Sequence, residues 1–320
     1  MRVYITGATG FVGSNVAKLY AEYHKLDVVL AGRRPPEQPL PGSFSEVDLL
    51  DPASVRGSIL TAQPDVIVHA AILNDFPLIY ANRRLGWDSY VTATRSVADA
   101  ANEVGAVLVY VSTDWVFDGT HPNSTEDTPP NPINYYGFLK AAGELVTLER
   151  AHDPIVARIA GVNGVHWAKP NSPRSQDAGF GYFVSSLVDA LSKGEPFTVW
   201  DSDTINTRAT PSLATESANM MLRLVQVGAR GTFHCCGGES TSRIELAYAA
   251  AEVFDLDATL IHTGPPDPTA IPQEPVPQDT SLTAIITATK VDYKLPAVRA
   301  LLAEFRSQRE TGEVQSLAAF

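Results

Sequence analysis

Short apolar runs alternate with helical patterns along the first half of the chain. The runs lack the apolar–polar alternation of a strand with one solvated face. Between them, apolar residues recur every three or four positions, as Val12, Val16, Leu19 and Tyr23 do. Buried strands separated by helices are typical of a parallel sheet covered on both faces, so the pattern predicts an α/β fold. The predicted strands span residues 3–5, 27–31, 46–48, 66–71, 107–111 and 155–159, and the predicted helices span 11–24, 89–105 and a stretch that begins at 135.

The second half carries further elements but no internal repeat and no clear linker. It is therefore predicted to fold onto the first half. Residues 265–277 contain six prolines, too many for regular structure, and are predicted to wrap the surface near the site. The predicted helices span 183–191, 211–227, 242–254 and 296–309, and the predicted strands span 197–200 and 232–236.

A glycine turn joins the first predicted strand to the first helix, with the sequence Gly7-Ala8-Thr9-Gly10-Phe11-Val12-Gly13. Gly7 allows a tight turn, Gly10 lets backbone approach a pyrophosphate, and Gly13 lets helix and strand pack closely. The helix N-terminus adds free amides and a partial positive charge. A second predicted strand, residues 27–31, follows the helix, as in dinucleotide-binding proteins. The turn therefore predicts a dinucleotide site; the alternative is a glycine turn without a ligand.

The residues after the second strand indicate which dinucleotide is bound. An NAD site usually has an acid there to accept from the ribose 2′-hydroxyl, whereas this chain has Gly32-Arg33-Arg34. Guanidinium groups favour a 2′-phosphate, so NADP(H) is predicted in preference to NAD(H). The alternative is that one or both arginines lie in solvent. Asp48 is predicted either to accept from the adenine amino group or to cap the next helix.

Several polar or small residues follow directly on predicted strands. Ligands of open parallel sheets bind outside the carboxyl ends of the strands, so these residues are expected to converge on one site. His69 is interpreted as a packed histidine and not as a catalyst. The converging residues are Gly7, Arg33, Asp48, Ala70 and Thr113.

Composition narrows the classes of function. The chain has 320 residues, 44% hydrophobic and 19% charged, with a formal net charge of −12. That charge argues against nucleic acid and anionic membrane as partners.

The only cysteines are the neighbours Cys235 and Cys236, and no two of the seven histidines lie three to five apart. No disulfide framework or metal site is therefore predicted. Without a signal segment or a long apolar run, the sequence predicts a cytoplasmic protein.

Tyr136 and Lys140 are spaced for carbonyl chemistry. Residues i and i+4 share one face of a helix, and a nearby ammonium is expected to lower the pKa of a phenol towards neutrality. Thr113, at the end of the fifth predicted strand, is a candidate to hydrogen-bond the reacting oxygen. Tyr135 lies five residues before Lys140, not four, and is not expected to take this role.

An irregular stretch spans residues 165–181. Long loops in compact domains are usually functional or mobile. Lys169 and Arg174 are therefore candidates to meet an anionic part of a substrate; the alternative is that they are ordinary surface cations.

Three motifs resemble the extended short-chain dehydrogenase/reductases, and among them the dTDP-4-dehydrorhamnose reductase branch. They are the glycine turn, Ser112-Thr113-Asp114-Trp115-Val116-Phe117-Asp118-Gly119, and Tyr136-Gly137-Phe138-Leu139-Lys140 with Gly143-Glu144. The resemblance covers residues 1–165 well and thins afterwards. It implies a doubly wound (Rossmann) dinucleotide-binding domain over 1–165, onto which about 206–238 packs back, and a smaller C-terminal substrate domain mainly over 166–320.

The resemblance also implies residue roles. Thr113, Tyr136 and Lys140 would be the catalytic set, and the predicted substrate contacts are Asp114, Trp115, Lys169 and Arg174. The predicted cofactor-binding residues are Gly7, Thr9, Gly10, Phe11, Val12, Gly13, Arg33, Arg34, Asp48, Leu49, Ala70, Ala71, Tyr136 and Lys140.

Three positions depart from the family pattern. Trp115 stands where the branch has tyrosine, and Tyr90 where relatives often have an asparagine that supports a water in the site. Residues 276–279 lack the arginine–proline signature expected of a deoxysugar-nucleotide reductase. These departures loosen the tie to a nucleotide-sugar substrate.

The leading hypothesis is an NADPH-dependent reductase of a ketone on a sugar-like or other polar carbonyl compound, with Tyr136 as general acid. A second is a redox-neutral epimerase or dehydratase, although Asp114-Trp115 lacks the second carboxylate typical of dehydratases. A third is a cofactor-binding regulatory subunit. The predicted partner is a small-molecule carbonyl substrate, and a homodimer is left open.

Overall fold

A parallel sheet built from the apolar runs organises the fold. The computed structural model describes residues 1–172 and 175–317. Its strands are β1 Arg2–Thr6, β2 Asp27–Gly32, β3 Ser43–Glu46, β4 Val66–His69, β5 Val107–Thr113, β6 Pro154–Ile159, β7 Val162–Asn163, β8 Phe197–Trp200, β9 Arg208–Ala209, β10 Ser212–Leu213, β11 Gly231–His234, β12 Thr241–Ser242, β13 Ile261–Gly264 and β14 Asp279–Thr280. Its α-helices are α1 Phe11–Lys18, α2 Pro52–Ala62, α3 Phe76–Ala81, α4 Arg83–Trp87, α5 Ala93–Val104, α6 Tyr135–Arg150, α7 Phe183–Leu191, α8 Ala214–Gln226, α9 Arg243–Val253, α10 Ile285–Val291 and α11 Val298–Thr311.

The strand order of the main sheet confirms the predicted doubly wound α/β fold. Within the described residues this sheet has seven strands in the order β3-β2-β1-β4-β5-β6-β11. Every neighbouring pair is parallel. The order reverses between β1 and β4, and in open α/β sheets ligands bind at such a switch point, beyond the carboxyl ends of the strands.

Both faces of the sheet are covered at its central strands, which explains why a strand such as β1 is apolar, whereas the edge strand β3 is mostly polar and exposed. In β1, Val3 and Ile5 belong to a buried cluster shared with α1 and α8. Tyr4, between them, belongs to a second cluster shared with α2 and α5. Since consecutive side chains of a strand point to opposite faces, each residue of β1 meets a helix layer.

A separate core holds the C-terminal helices together. Helices α7, α9 and α11 share a cluster that includes Phe183, Leu246, Leu301 and Phe305, and strands β8 and β13 pair beside it. In contrast, α8 packs on the main sheet and β11 forms its edge. The division into domains at residue 165 stays a prediction.

Some predicted boundaries are wrong. The third strand is Ser43–Glu46 and overlaps the predicted 46–48 only at Glu46. Beyond it Asp48 and Asp51 turn the chain, since each accepts a hydrogen bond from the amide two residues on. The helix predicted from 89 begins in fact at Arg83, where Asn82 accepts from the Leu85 amide at 3.0 Å. It runs on to Val104 through a π-type segment, Asp88–Thr92.

The described residues contain no helix long and apolar enough to cross a membrane. The cytoplasmic location stays a prediction.

Candidate active site

The glycine turn leaves no room for side chains at two positions. Gly7 has a φ of +68°, and a Cβ there would lie 2.7 Å from the Ala71 Cα. A Cβ on Gly13 would lie 2.2 Å from the carbonyl oxygen of Gly7. Gly10 is the N-cap of α1 and offers no side-chain acceptor, so the first amides of the helix remain available to phosphate oxygens. The turn therefore fits a pyrophosphate.

Gly13→Ala is expected to weaken dinucleotide binding by about tenfold or more and to lower the free energy of unfolding by about 1–3 kcal/mol, because the new methyl group must displace backbone. The measurements are cofactor titration and urea denaturation. Gly57→Ala is the matched control: Gly57 is exposed in α2 and a Cβ there would meet nothing within 4 Å. It should stabilise the fold by about 0.5–1 kcal/mol. Equal behaviour of the two variants would contradict the packing of the turn.

One large cavity lies at the carboxyl ends of the sheet strands, with a volume of about 1470 Å³. Most residues predicted for the cofactor and the substrate line it. Arg34 is exposed and, among described residues, is not part of the wall, and Arg174 lies outside the described residues. The predicted residues that line it are Gly7, Thr9, Gly10, Phe11, Val12, Gly13, Arg33, Asp48, Leu49, Ala70, Ala71, Thr113, Asp114, Trp115, Tyr136, Lys140 and Lys169.

Asp48 does not cap the following helix, so that alternative is wrong. The N-cap of α2 is Asp51, which accepts from the Ala53 amide at 2.9 Å. Asp48 accepts from the Leu50 amide at 3.0 Å and is exposed at the cavity wall. Asp48 and Arg33 line the same cavity.

Helix α6 is fixed at its start by a capping residue. Asn134 accepts from the Gly137 amide at 2.8 Å and donates to the carbonyl oxygen of Pro275 at 3.0 Å. A Cβ on Gly137 would lie 2.2 Å from the Trp115 carbonyl oxygen. The first turn of α6 therefore lies directly on the loop that follows β5, which brings Tyr136 to the end of the strand that carries Thr113.

Tyr136 is partly enclosed by aromatic rings. Its ring centroid lies 5.1 Å from that of Phe76, 6.0 Å from that of Trp115 and 6.2 Å from that of Tyr90. Burial raises the pKa of Tyr136 to about 12; a hydrogen bond with Thr113 opposes this rise and the Asp114 charge adds to it. The phenol is therefore fully protonated at neutral pH.

Lys140 does not lower the pKa of Tyr136 in this structure, contrary to the prediction. Its ammonium donates to the Val111 carbonyl oxygen at 2.5 Å and lies 4.2 Å from the centroid of the Tyr110 ring. Burial lowers the pKa of Lys140 itself to about 7, with Glu144 opposing that change. Burial is therefore the largest cause of the pKa shift at both groups.

Asp114 turns its carboxylate towards hydroxyl groups of the protein. Thr113 Oγ1 donates to Oδ1 at 3.0 Å, and Thr280 Oγ1 donates to Oδ2 at 2.5 Å. The residue is only 5% exposed. Its role as a substrate contact stays a prediction, as does that of Trp115 in the cavity wall.

His69 is buried between two hydroxyl groups, as the packed-histidine interpretation expects. Its Nδ1 lies 2.7 Å from Thr6 Oγ1 and its Nε2 lies 3.1 Å from Thr94 Oγ1. Burial lowers the pKa of His69 to about 3, with a contribution from the Lys140 charge. The imidazole is therefore neutral and structural.

Several residues of the cavity wall were not singled out from the sequence. Asn134 had a local signal, because an asparagine directly before a helix is a preferred N-cap. The others lie in loops or beside them; the segments 165–181 and 265–277 were predicted to be functional or near the site, but these residues were not named individually. They are Asn74, Asp177, Phe180, Tyr182, Gln273 and Glu274.

Comparison with known proteins agrees with the fold. The doubly wound sheet defines a Rossmann-type α/β protein. A family model described as RmlD substrate binding domain matches residues 1–309. The chain belongs to this family, and the resemblance to the dTDP-4-dehydrorhamnose reductases is confirmed.

Individual relatives carry different names. The chain is 30% identical over 261 residues to methionine adenosyltransferase 2 subunit beta of Rattus norvegicus, covering 81% of this chain and 73% of that protein. It is 26% identical over 264 residues to the probable low-salt glycan biosynthesis reductase Agl14 of Haloferax volcanii, covering 82% and 83%. Among solved structures, dTDP-4-dehydrorhamnose reductase of Bacillus anthracis in complex with NADP has a TM-score of 0.75 at 22% identity, covering 97% and 99%. At 22% identity, the similarity to that reductase structure concerns the fold alone.

Proposed function

We propose that this protein reduces a ketone on a sugar-like or other polar carbonyl compound, with NADPH as the reductant. One observation carries the proposal: a single cavity of about 1470 Å³ is lined both by the glycine turn and by Thr113, Tyr136 and Lys140. A dinucleotide site and a candidate proton donor thus open into the same space. Membership of the reductase-like family supports the same reading.

Reduction adds a hydride to the carbonyl carbon, which the nicotinamide supplies when bound, and a proton to the carbonyl oxygen. Tyr136 is the proposed proton donor, because a phenol with a pKa of about 12 is protonated at working pH. Once the proton is given, Tyr136 is a phenolate. Lys140 lines the same cavity, but its ammonium donates to the Val111 carbonyl oxygen, so its proposed role is to hold a ribose hydroxyl of the cofactor. The phenolate then regains a proton from solvent.

The residues of the glycine turn fit a dinucleotide. The uncapped first turn of α1 would hold the pyrophosphate, and Asp48 would accept from the adenine amino group. Arg33, exposed in the same wall, would bind a ribose 2′-phosphate. Arg34 lies outside the wall formed by the described residues, so of the two arginines Arg33 is the one proposed to select NADPH.

Arg33→Ala is expected to weaken NADPH binding by about 10- to 100-fold, since a hydrogen bond to a charged group contributes about 1.5–3 kcal/mol. NADH binding should change by less than about threefold, because NADH lacks the 2′-phosphate. Cofactor fluorescence titration measures both. The control is Arg34→Ala, for which both affinities should stay within about threefold of the wild type. An unchanged NADPH-to-NADH preference in Arg33→Ala would contradict the assignment.

A second candidate function is that of a partner subunit that binds the cofactor without reducing a carbonyl. The observation that favours it is the 30% identity to a protein named as a subunit of methionine adenosyltransferase. The complete set of Thr113, Tyr136 and Lys140 in one cavity favours the reductase. A redox-neutral epimerase or dehydratase has less support, because the indole of Trp115 occupies the position where a dehydratase would carry a second acid.

The test is oxidation of NADPH and NADH by the purified protein over a panel of carbonyl compounds that includes 4-keto sugar nucleotides and free keto sugars. The proposal expects NADPH oxidation that depends on one group of these compounds. Tight NADPH binding without oxidation by any of them would favour the partner-subunit function. A nicotinamide that stays bound through purification and interconverts sugars without net oxidation would favour the epimerase.

A further inference from the structure

Asp114 ends a chain of buried hydrogen-bond donors. Asn206 Nδ2 donates to Thr280 Oγ1 at 2.7 Å, and Thr280 Oγ1 donates to Asp114 Oδ2 at 2.5 Å. The hydroxyl hydrogen of Thr280 is therefore committed to Asp114. On the other side, Thr113 Oγ1 donates to Asp114 Oδ1 at 3.0 Å. The carboxylate is only 5% exposed, and its partners are these two hydroxyl groups and the backbone amides of Asp114 and Trp115.

The bonding capacity of Thr113 is limited by this arrangement. A hydroxyl group has one hydrogen and two acceptor lone pairs. The Trp115 amide donates to Thr113 Oγ1 at 3.3 Å and fills one lone pair. While Asp114 is ionised, the hydrogen of Thr113 is directed to it, and the remaining lone pair is the one that can accept from the protonated Tyr136 phenol, with which Thr113 is hydrogen-bonded. A carbonyl oxygen is an acceptor, so in this state Thr113 has nothing to offer it.

We propose that protonation of Asp114 reverses the direction of the Thr113 hydroxyl and makes Thr113 a hydrogen-bond donor to the substrate carbonyl oxygen. The inference rests on the proposed reductase function. Protonated Asp114 would donate from Oδ1 to Thr113 and continue to accept from Thr280 at Oδ2. Both lone pairs of Thr113 are then filled, and its hydrogen is free to join Tyr136 at the carbonyl oxygen. Asp114 is thus a positioning residue, since it acts through Thr113.

The surroundings of Asp114 favour this protonation near physiological pH. Burial raises the pKa of Asp114 to about 6, against the opposing hydrogen bonds from Thr280 and Thr113. The titratable groups that interact with it are the Tyr136 phenol on α6 and the Cys236 thiol after β11. Burial raises the pKa of both, so both are neutral when Asp114 titrates. The carboxyl group is the donor below a pH of about 6 and loses that role as the pH rises.

The variant Asp114→Asn distinguishes a role of Asp114 in directing the Thr113 hydroxyl from a purely structural role. An amide reproduces the protonated acid: its oxygen accepts from Thr280 and its nitrogen donates permanently to Thr113. Wild-type kcat for reduction should fall as the pH rises from about 5 to about 8, whereas Asp114→Asn should show a flat profile over this range. At about pH 8 the variant should match or exceed the wild type. Asp114→Leu also removes the acceptor that holds the Thr113 hydrogen, so its profile should be flat as well, with a kcat below that of Asp114→Asn because no donor at position 114 fixes the direction of the Thr113 hydroxyl.

A second readout needs no turnover. In carboxyl-carbon NMR of the protein without cofactor, a resonance absent from Asp114→Asn should titrate with a midpoint of about 6. Thr280→Val should raise that midpoint, because it removes a donor that favours the ionised form. A midpoint at the ordinary aspartate value of about 3.9 would overturn the inference.

The outcomes distinguish this inference from the proposed function. If the wild type reduces a carbonyl and Asp114→Asn keeps the wild-type pH profile, the inference alone is overturned. If the wild type reduces no carbonyl over the panel, the proposed function fails and the inference fails with it. A flat profile in Asp114→Asn together with an NMR midpoint of about 6 supports both.

Discussion

Tyr136→Phe is expected to lower carbonyl reduction by about 1,000-fold while NADPH affinity stays within about threefold of the wild type. The variant removes only the phenolic oxygen and keeps the ring, which contacts Phe76, Trp115 and Tyr90. A positioned general acid contributes about 10²- to 10⁴-fold to the rate. Steady-state kinetics with a substrate found in the panel gives the first quantity, and cofactor fluorescence titration gives the second.

Tyr135→Phe is the matched control, since it removes the neighbouring hydroxyl from the same helical turn. Tyr135 donates to the Arg83 carbonyl oxygen at 2.6 Å and is not part of the cavity wall formed by the described residues. Turnover should stay within about twofold of the wild type, with a loss of stability of about 1 kcal/mol for the hydrogen bond. Turnover by Tyr136→Phe close to that of Tyr135→Phe would show that Tyr136 is not the acid.

Glu144→Ala should lower the free energy of unfolding by about 3–5 kcal/mol, because it leaves a buried guanidinium without its partner. Glu144 accepts from Arg158 at 2.9 and 2.7 Å and from Ser112 Oγ at 2.5 Å. Both side chains of the ion pair are 3% exposed. These bonds join α6 to β5 and β6, and Ser112 directly precedes Thr113. Urea denaturation measures the loss.

The control for this prediction is Glu149→Ala, which removes an exposed carboxylate from the same helix. Its effect should stay within about 0.5 kcal/mol. Replacing both partners with apolar residues, as in Glu144→Leu with Arg158→Met, should recover much of the loss, because no unpaired charge remains. A loss of less than about 1 kcal/mol in Glu144→Ala would indicate that water reaches the guanidinium.

The sheet could be predicted from the sequence because its strands are buried on both faces. An apolar run such as residues 107–111 predicts a buried strand when helical patterns flank it. The glycine turn was equally readable, since steric limits at Gly7 and Gly13 require glycine and nothing else. The bounds of α7 and β8 also agree with the prediction.

What could not be predicted depends on contacts between distant residues. Thr280 lies 166 positions from Asp114, and its strand β14 pairs with β9 over only two residues. Neither this hydrogen bond nor this short strand pairing produces a pattern in the local sequence. The loop residues Asp177 and Phe180 reach the cavity through tertiary packing alone.

Spacing also misled the prediction at Lys140. Residues four apart share a helix face, yet side-chain direction is set by the surroundings. The Val111 carbonyl oxygen and the Tyr110 ring hold the ammonium, and burial decides the pKa values of both Lys140 and Tyr136. A sequence reveals the spacing of charged groups but not their desolvation.

Transfer of deuterium from NADPH that carries two deuterium atoms at nicotinamide carbon 4 tests the central claim most directly, because either face then delivers the label. The product of a carbonyl substrate identified in the panel would be examined by mass spectrometry and NMR. A net reductase predicts one deuterium per product molecule, bonded to the former carbonyl carbon, with one NADPH consumed for each product formed. Product without the label, or NADPH that binds and is never oxidised, would contradict it.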